Sequence, residues 1–280
     1  MGKIDETKSG KISIRNVTKV YDPDGANVMA LDDFSLEIES GDFIAIVGPS
    51  GCGKSTLLNI LAGFDTLTEG QIILDGETLA SIETIPKPGN DRVVVFQQGA
   101  LFPWKTVMEN ITYGLIKSGS TDLDEIEARA REFLKRSGNL EEIANVYPAQ
   151  LSSGMQRRVE IIRAIINDPK LLLLDEPFRA MDTVNKAKMH QHLLKTYQEN
   201  KKTILFITHD LEEALFLADR VIVMTTRPGK MKLDIQVDIP RPRDQTILAS
   251  DAYLELRKKT VFAVREEAQK AFERGEREMA

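Results

Sequence analysis

Nine consecutive residues carry the clearest chemistry in this chain: Gly48, Pro49, Ser50, Gly51, Cys52, Gly53, Lys54, Ser55 and Thr56, reading GPSGCGKST. They fill the pattern G-x-x-x-x-G-K-[ST] in full. Glycines let a backbone curl until several N–H groups face inward, and such a run of donors holds a phosphate chain. Lys54 would reach the β- and γ-phosphates of a nucleoside triphosphate. Ser55 would ligate Mg²⁺, with Thr56 beside it. A second capable pair, Asp175 and Glu176, ends the apolar run LLLLDEP. Asp175 is placed to hold Mg²⁺ through water, as strand-end acids do in phosphoryl transfer. Glu176 follows it and could polarise an attacking water. Cys52 falls at an expected helix N-terminus, where a thiol pKa tends to drop; no part in catalysis is expected of it.

These residues need elements to hold them. DFIAIV, before the glycines, is short, apolar and β-branched and predicts a buried strand; KSTLLNILAG, after them, predicts a mostly apolar helix. KISIRNVTKVY and FSLEIES alternate as half-buried strands do, and GQIILDGETL predicts a strand and turn. DRVVVFQQ, KLLLLDEP, KTILFITHD and DRVIVMTTRPG predict further buried strands, with the helix TVNKAKMHQHLLKTYQE among them. This β-α-β alternation implies a parallel sheet with helices on its faces. From about Thr106 to Ala164 the pattern is helical and predicts an inserted lobe. Beyond Pro240 the proline-rich IPRPRD leads into a charged helix. His190 and His192, two apart on a helix, point to different sides and are expected at the surface.

Composition narrows the function classes. With 280 residues and 42% hydrophobic content, the chain can bury a sizeable core. A net charge of −6 argues against a nucleic-acid partner. The single cysteine excludes an internal disulfide framework and suits a reducing cytosol. The polar N-terminal stretch lacks the apolar run of a secretory signal. No apolar run approaches the roughly 20 residues that span a bilayer, so any membrane association is expected to go through a partner or a surface.

The stretch QLSSGMQRR, from Gln150 to Arg158, resembles the signature of ATP-binding cassette (ABC) proteins. With it come VFQQ, like a Q-loop at Gln97; RAMD, like a D-loop ending in Asp182; and ITHD, like a switch histidine at His209. Tyr21 stands where the family keeps an aromatic that stacks on adenine. The resemblance runs from about Lys11 to Pro228. It implies an α/β fold: a P-loop NTPase (RecA-like) core, an antiparallel β subdomain and an inserted α-helical subdomain at about residues 100–165. An ATPase domain over 11–240 and a C-terminal helical tail over 241–280 would follow.

The family's arrangement implies that two cassettes, here expected as a homodimer, face head to tail around two ATP molecules. Ser152 and Gly154 would meet the partner's γ-phosphate, and Asp182 would cross the seam. Gln97 would sense metal and γ-phosphate and act with Glu176 and His209 in catalysis. Ser153 stands where the signature usually has glycine, and Met155 where glutamine is commonest. ALFPWKTVMENI, THDLEEALFLADRVIVMTTRPGK and DIPRPRD look like the ATPase subunits of nitrate/sulfonate/taurine-type importers. Such a subunit works at the cytoplasmic face of the membrane with permease subunits and, indirectly, a solute-binding protein. Phe102 and Trp104 would dock the permease or else belong to the core of the helical lobe. The alternatives are an efflux cassette and a soluble cassette acting on ribosomes or DNA.

Overall fold

The computed structural model describes residues 9–138, 140–179 and 181–274. In chain order its elements are β1 (Ile12–Tyr21), β2 (Val28–Ile38), β3 (Phe43–Val47), α1 (Lys54–Ala62), β4 (Glu69–Leu74), β5 (Glu77–Ser81) and β6 (Arg92–Val95). Then follow α2 (Val107–Lys117), α3 (Leu123–Arg136), α4 (Ser153–Ile165), β7 (Leu171–Asp175), α5 (Thr183–Asn200) and β8 (Thr203–Ile207). The chain closes with α6 (Leu211–Leu217), β9 (Arg220–Met224), β10 (Met231–Gln236) and α7 (Asp251–Glu273). Two compact units emerge. One takes in the described residues up to Gly89 and from Lys201 onward; the other is Asn90–Asn200.

The first unit holds two sheet regions. β1 pairs antiparallel with β2 on one side and β4 on the other, and β4 pairs with β5. β3 lies between β8 and β9, parallel to both. All five residues of β3 and of β8 are buried, as expected of parallel strands covered on both faces. Phe43 and Phe206 meet edge-to-face across β3 and β8, ring centroids 6.0 Å apart. Like β5, β10, antiparallel to β9, is a strand that sequence reasoning missed. Its residues MKLDIQ bury only Ile235, so an edge strand with charged neighbours shows too little apolar alternation to stand out.

The proline-rich stretch is anchored rather than loose. The guanidinium of Arg241 donates to Asp219 and to the Leu217 carbonyl. Buried Arg243 donates to the carbonyls that close α6, including Phe216 and Ala218. The helix expected after it is α7, and its last expected residues lie outside the described ones.

In the second unit β6 and β7 pair in parallel. α2, α3 and α4 surround an apolar cluster that includes Val107, Ile111, Leu134, Val159 and Ile162. Thr106 and Glu109 form a reciprocal cap at the start of α2, the arrangement that satisfies orphan N–H groups. His190 and His192 are partly buried. The His190 ring packs edge-on to Phe178 at 5.2 Å, so the surface expectation for these histidines is corrected by α5 packing.

Candidate nucleotide-binding site

In the first unit, the phosphate loop links the buried end of β3 to the start of α1. Gly51 and Gly53 have φ of +74° and +96°, left-handed values that glycine adopts without strain. A Cβ on Gly53 would sit 2.7 Å from the Ala30 carbonyl oxygen, and one on Gly48 would sit 2.9 Å from Cys52 Sγ. Close packing therefore demands glycine at both positions, and at Gly53 the curl demands it as well. No side chain caps the start of α1, and no acid lies in its first turn. Its N–H groups and positive dipole end suit an anion. The buried Lys54 donates to the Gly48 and Pro49 carbonyls at 2.9 and 2.8 Å, which holds its ammonium over the loop.

Cys52 is fully buried. Burial pushes its thiol up from the ordinary value, and the nearby Lys54 ammonium offsets only part of that. The lowered pKa expected from the helix N-terminus is thus reversed, because desolvation of a thiolate outweighs the dipole.

Tyr21 ends β1 and is 37% exposed. Its hydroxyl donates to Asp65 Oδ2 at 2.6 Å and lies 3.5 Å from Thr56 Oγ1, which brings it beside the loop. Lys19, two residues earlier on the same face of the strand, places Nζ 4.7 Å from the Tyr21 ring centroid and 2.6 Å from Asp65 Oδ1. Burial alone would raise the Asp65 carboxyl, but hydrogen bonds from Lys19, Tyr21 and the Thr66 N–H hold it below its usual range. Sequence reasoning missed Asp65 and Lys19 here; only the alternate spacing of Lys19 and Tyr21 hinted at the pair. His209 is exposed one residue beyond Thr208, whose N–H donates to the Ile46 carbonyl of β3 at 3.3 Å. His209 and the phosphate loop therefore follow the adjacent carboxyl ends of two parallel strands, where α/β folds place their ligands.

In the second unit, Gln97 lies just past β6, and its main chain is clamped from α4. Arg157 donates to the Phe96 and Gln97 carbonyls, both at 2.7 Å, and pairs with Glu160 at 2.7 Å. Glu160 in turn accepts from the Ala100 N–H at 2.6 Å. Both side chains are buried, and every partner is charged or polar, which a buried ion pair needs. Asp175 ends β7, and Glu176 follows it with a φ of +43°. Such a value is strained for a non-glycine residue and gathers at functional turns. Ser152 caps α4, accepting from the Met155 N–H at 3.3 Å. Ser153 opens the helix, and a Cβ at Gly154 would meet nothing within 4 Å. Asp182 caps α5 by accepting from the Asn185 N–H at 3.0 Å.

The ABC transporter family pattern matches residues 31–179, which contain the phosphate loop, Gln97, the signature and the Asp175–Glu176 pair. The chain belongs to the ABC transporter family. As a member it is an ATP-binding cassette with ATPase activity. An uncharacterized ABC transporter ATP-binding protein of Methanocaldococcus jannaschii is 44% identical over 276 residues, covering 97% of this chain and 99% of the relative. The aliphatic sulfonates import ATP-binding protein SsuB of Bacillus cereus is 39% identical over 250 residues, covering 89% of this chain and 94% of the relative. The cassette also resembles the dimeric cassette MJ0796 solved in a post-hydrolysis state with ADP and phosphate. There the TM-score is 0.69 at 34% identity, over 82% of this chain and 100% of that one. cbiO1 of Clostridium perfringens, part of the complex cbiONQ, has a TM-score of 0.73 at 25% identity, over 92% of this chain and 97% of that one. No described helix of the cassette is long and apolar enough to cross a membrane.

Proposed function

We propose that this cassette is the ATP-hydrolysing subunit of an importer for a small anionic solute of the nitrate, sulfonate or taurine kind. It would work as a homodimer at the cytoplasmic face of the membrane, driving permease subunits supplied by a solute-binding protein. The likeness to an aliphatic sulfonates import subunit supports the solute class. The paired arrangement is carried by one observation: the open space at Gly154. The chain's own packing does not require glycine there. A triphosphate held by a second cassette and closing on this helix end would require it, because only glycine lets a backbone N–H approach so closely.

In this reading Lys54 neutralises the β- and γ-phosphates, and Tyr21 stacks on adenine. Ser55, Asp175 and the Gln97 side-chain oxygen are hard donors of the kind Mg²⁺ takes. Bound there, Mg²⁺ would supply positive charge to the phosphate oxygens. Glu176 accepts the proton of the attacking water, His209 steadies that water, and Asp182 reaches across the seam.

For the permease contact, Trp104 is 70% exposed, which disfavours a core role. Asn110 holds the preceding turn through the Phe102, Lys105 and Thr106 carbonyls. Phe102 packs tilted against Trp104 and edge-on to Tyr113, with centroids 5.7 and 4.9 Å away. Phe102 and Tyr113 line an open groove of about 380 Å³. An ordered aromatic rim of this kind fits a docked helix.

Replacing Glu176 by Gln tests the chemistry. ATP binding should survive, and turnover should fall by about 10² to 10⁴. ATP-bound dimer should accumulate in size-exclusion chromatography. Near-normal turnover by Glu176→Gln would overturn the reading.

A further inference from the structure

Arg179 lies three residues beyond Glu176 in the turn that leaves β7, its N–H donating to the Glu176 carbonyl at 3.1 Å. Its guanidinium faces two groups at once. Nη1 is 3.3 Å from Glu176 Oε2. With the Gln97 amide turned so that its oxygen faces the arginine, Nε and Nη1 lie 3.3 and 2.7 Å from that oxygen. A guanidinium is a donor only, and its planar fork can serve two acceptors together. The atoms it engages are acceptor oxygens of the general base and of the Q-loop glutamine. These are the atoms through which Glu176 would take a proton and Gln97 would meet metal.

We propose that Arg179 is a positioning residue that ties Glu176 to Gln97 and so restrains idle hydrolysis. The inference rests on the reading of Glu176 as the base. Each turnover has to break the tether before the carboxylate can turn to water and the amide to the nucleotide. The tether suits this use because the Arg179 side chain is 50% exposed and that of Glu176 only 15%. An ion pair open to solvent on one side is weak enough to release. An arginine suits this pairing better than a lysine, because its rigid planar fork presents N–H groups to both acceptors in fixed directions, whereas an ammonium on a flexible stem is not pre-set to that geometry.

Steady-state ATPase kinetics of the full chain test this. Arg179→Ala should raise kcat about two- to fivefold, the size expected on releasing a weak, half-exposed pair, with KM for MgATP changed less than about twofold. Arg179→Lys should fall between Arg179→Ala and the parent. In an inactive Glu176→Gln background, adding Arg179→Ala should restore no turnover. A kcat for Arg179→Ala that stays level or falls, or an effect confined to KM, would overturn the tether while Glu176→Gln remained inactive. Normal turnover in Glu176→Gln alone would instead overturn the base assignment, and the tether with it.

Discussion

Tyr21 does more than offer a ring. Its hydroxyl is committed to Asp65 and its ring to the Lys19 ammonium, so the ring face that the proposed stacking would offer to adenine is held at a set angle. Burial, and then the hydrogen bond to Asp65, raises the phenol above its ordinary value, which keeps the hydroxyl a donor. Stacking should dominate base binding, because every purine presents a π-face. Tyr21→Ala is expected to weaken ATP binding about tenfold or more, in line with stacking losses of roughly 1–3 kcal/mol. Tyr21→Phe keeps the ring and loses only its anchor, so about two- to threefold is expected, within the net worth of one hydrogen bond. Titration of ATP into both variants decides between them. Equal damage from the two would make the hydroxyl, rather than the ring, the binding group.

At the scale of elements, α4 and the Q-loop are fastened together by buried charge. Arg157→Met would leave Glu160 buried without its partner, at a cost of about 3 kcal/mol. Arg157→Met combined with Glu160→Leu removes both charges and should recover most of that loss. Denaturant midpoints for the two single variants and the double form the cycle; additive losses would show that the pair is not a unit.

α7 is fastened by charge to the turn that packs on the phosphate loop. Glu267 accepts from the Thr226 N–H at 3.0 Å and from Lys232 and Lys270 at 2.7 and 2.9 Å. In the same turn, a Cβ on Gly229 would collide with the Cys52 carbonyl. Burial would raise the Glu267 carboxyl, but these donors outweigh it and hold it below its ordinary value. A carboxyl depressed in the folded state stabilises fully above its unfolded pKa and loses that contribution as pH falls through its folded one. Glu267→Gln should therefore cost about 2 kcal/mol near neutrality. The gap to the parent should close as pH drops below about 4. A gap that stayed constant from neutral to acid pH would mean that packing, not charge, is the anchor.

At the scale of the whole molecule, the signature's two small residues should behave differently. Ser153 begins α4, is exposed, and is absent from the residues with positive φ, so its side chain costs the backbone nothing. Ser153→Gly should leave ATPase activity within about threefold, below ~1 kcal/mol. Gly154→Asp adds a carboxylate where the proposed partner brings a triphosphate, and like charges there repel. It should abolish ATP-driven dimerisation in a Glu176→Gln background while nucleotide binding by the single subunit persists. Size-exclusion chromatography and a binding titration on one preparation read both quantities. A Gly154→Asp protein that still dimerised with ATP would remove the composite site from the reading.

What the chain's letters determined by themselves was local. The curl of GPSGCGKST and the buried runs FIAIV and LLLLD follow from neighbouring residues, and the spacing within the loop is itself the chemistry. The order of the motifs, read against a known family, pointed further, to the roles proposed for Gln97, His209 and Asp182. The tertiary structure decided which distant groups meet. Asp65 reaches Tyr21 across 44 residues, Arg157 reaches Phe96 across 61, and Glu267 reaches Thr226 across 41. No periodicity encodes such meetings, because they depend on how strands and helices close on one another rather than on any repeat along the chain. Cys52 and Arg179 show the same limit: burial set one thiol's pKa, and the fold brought Gln97 to an arginine far from it in sequence.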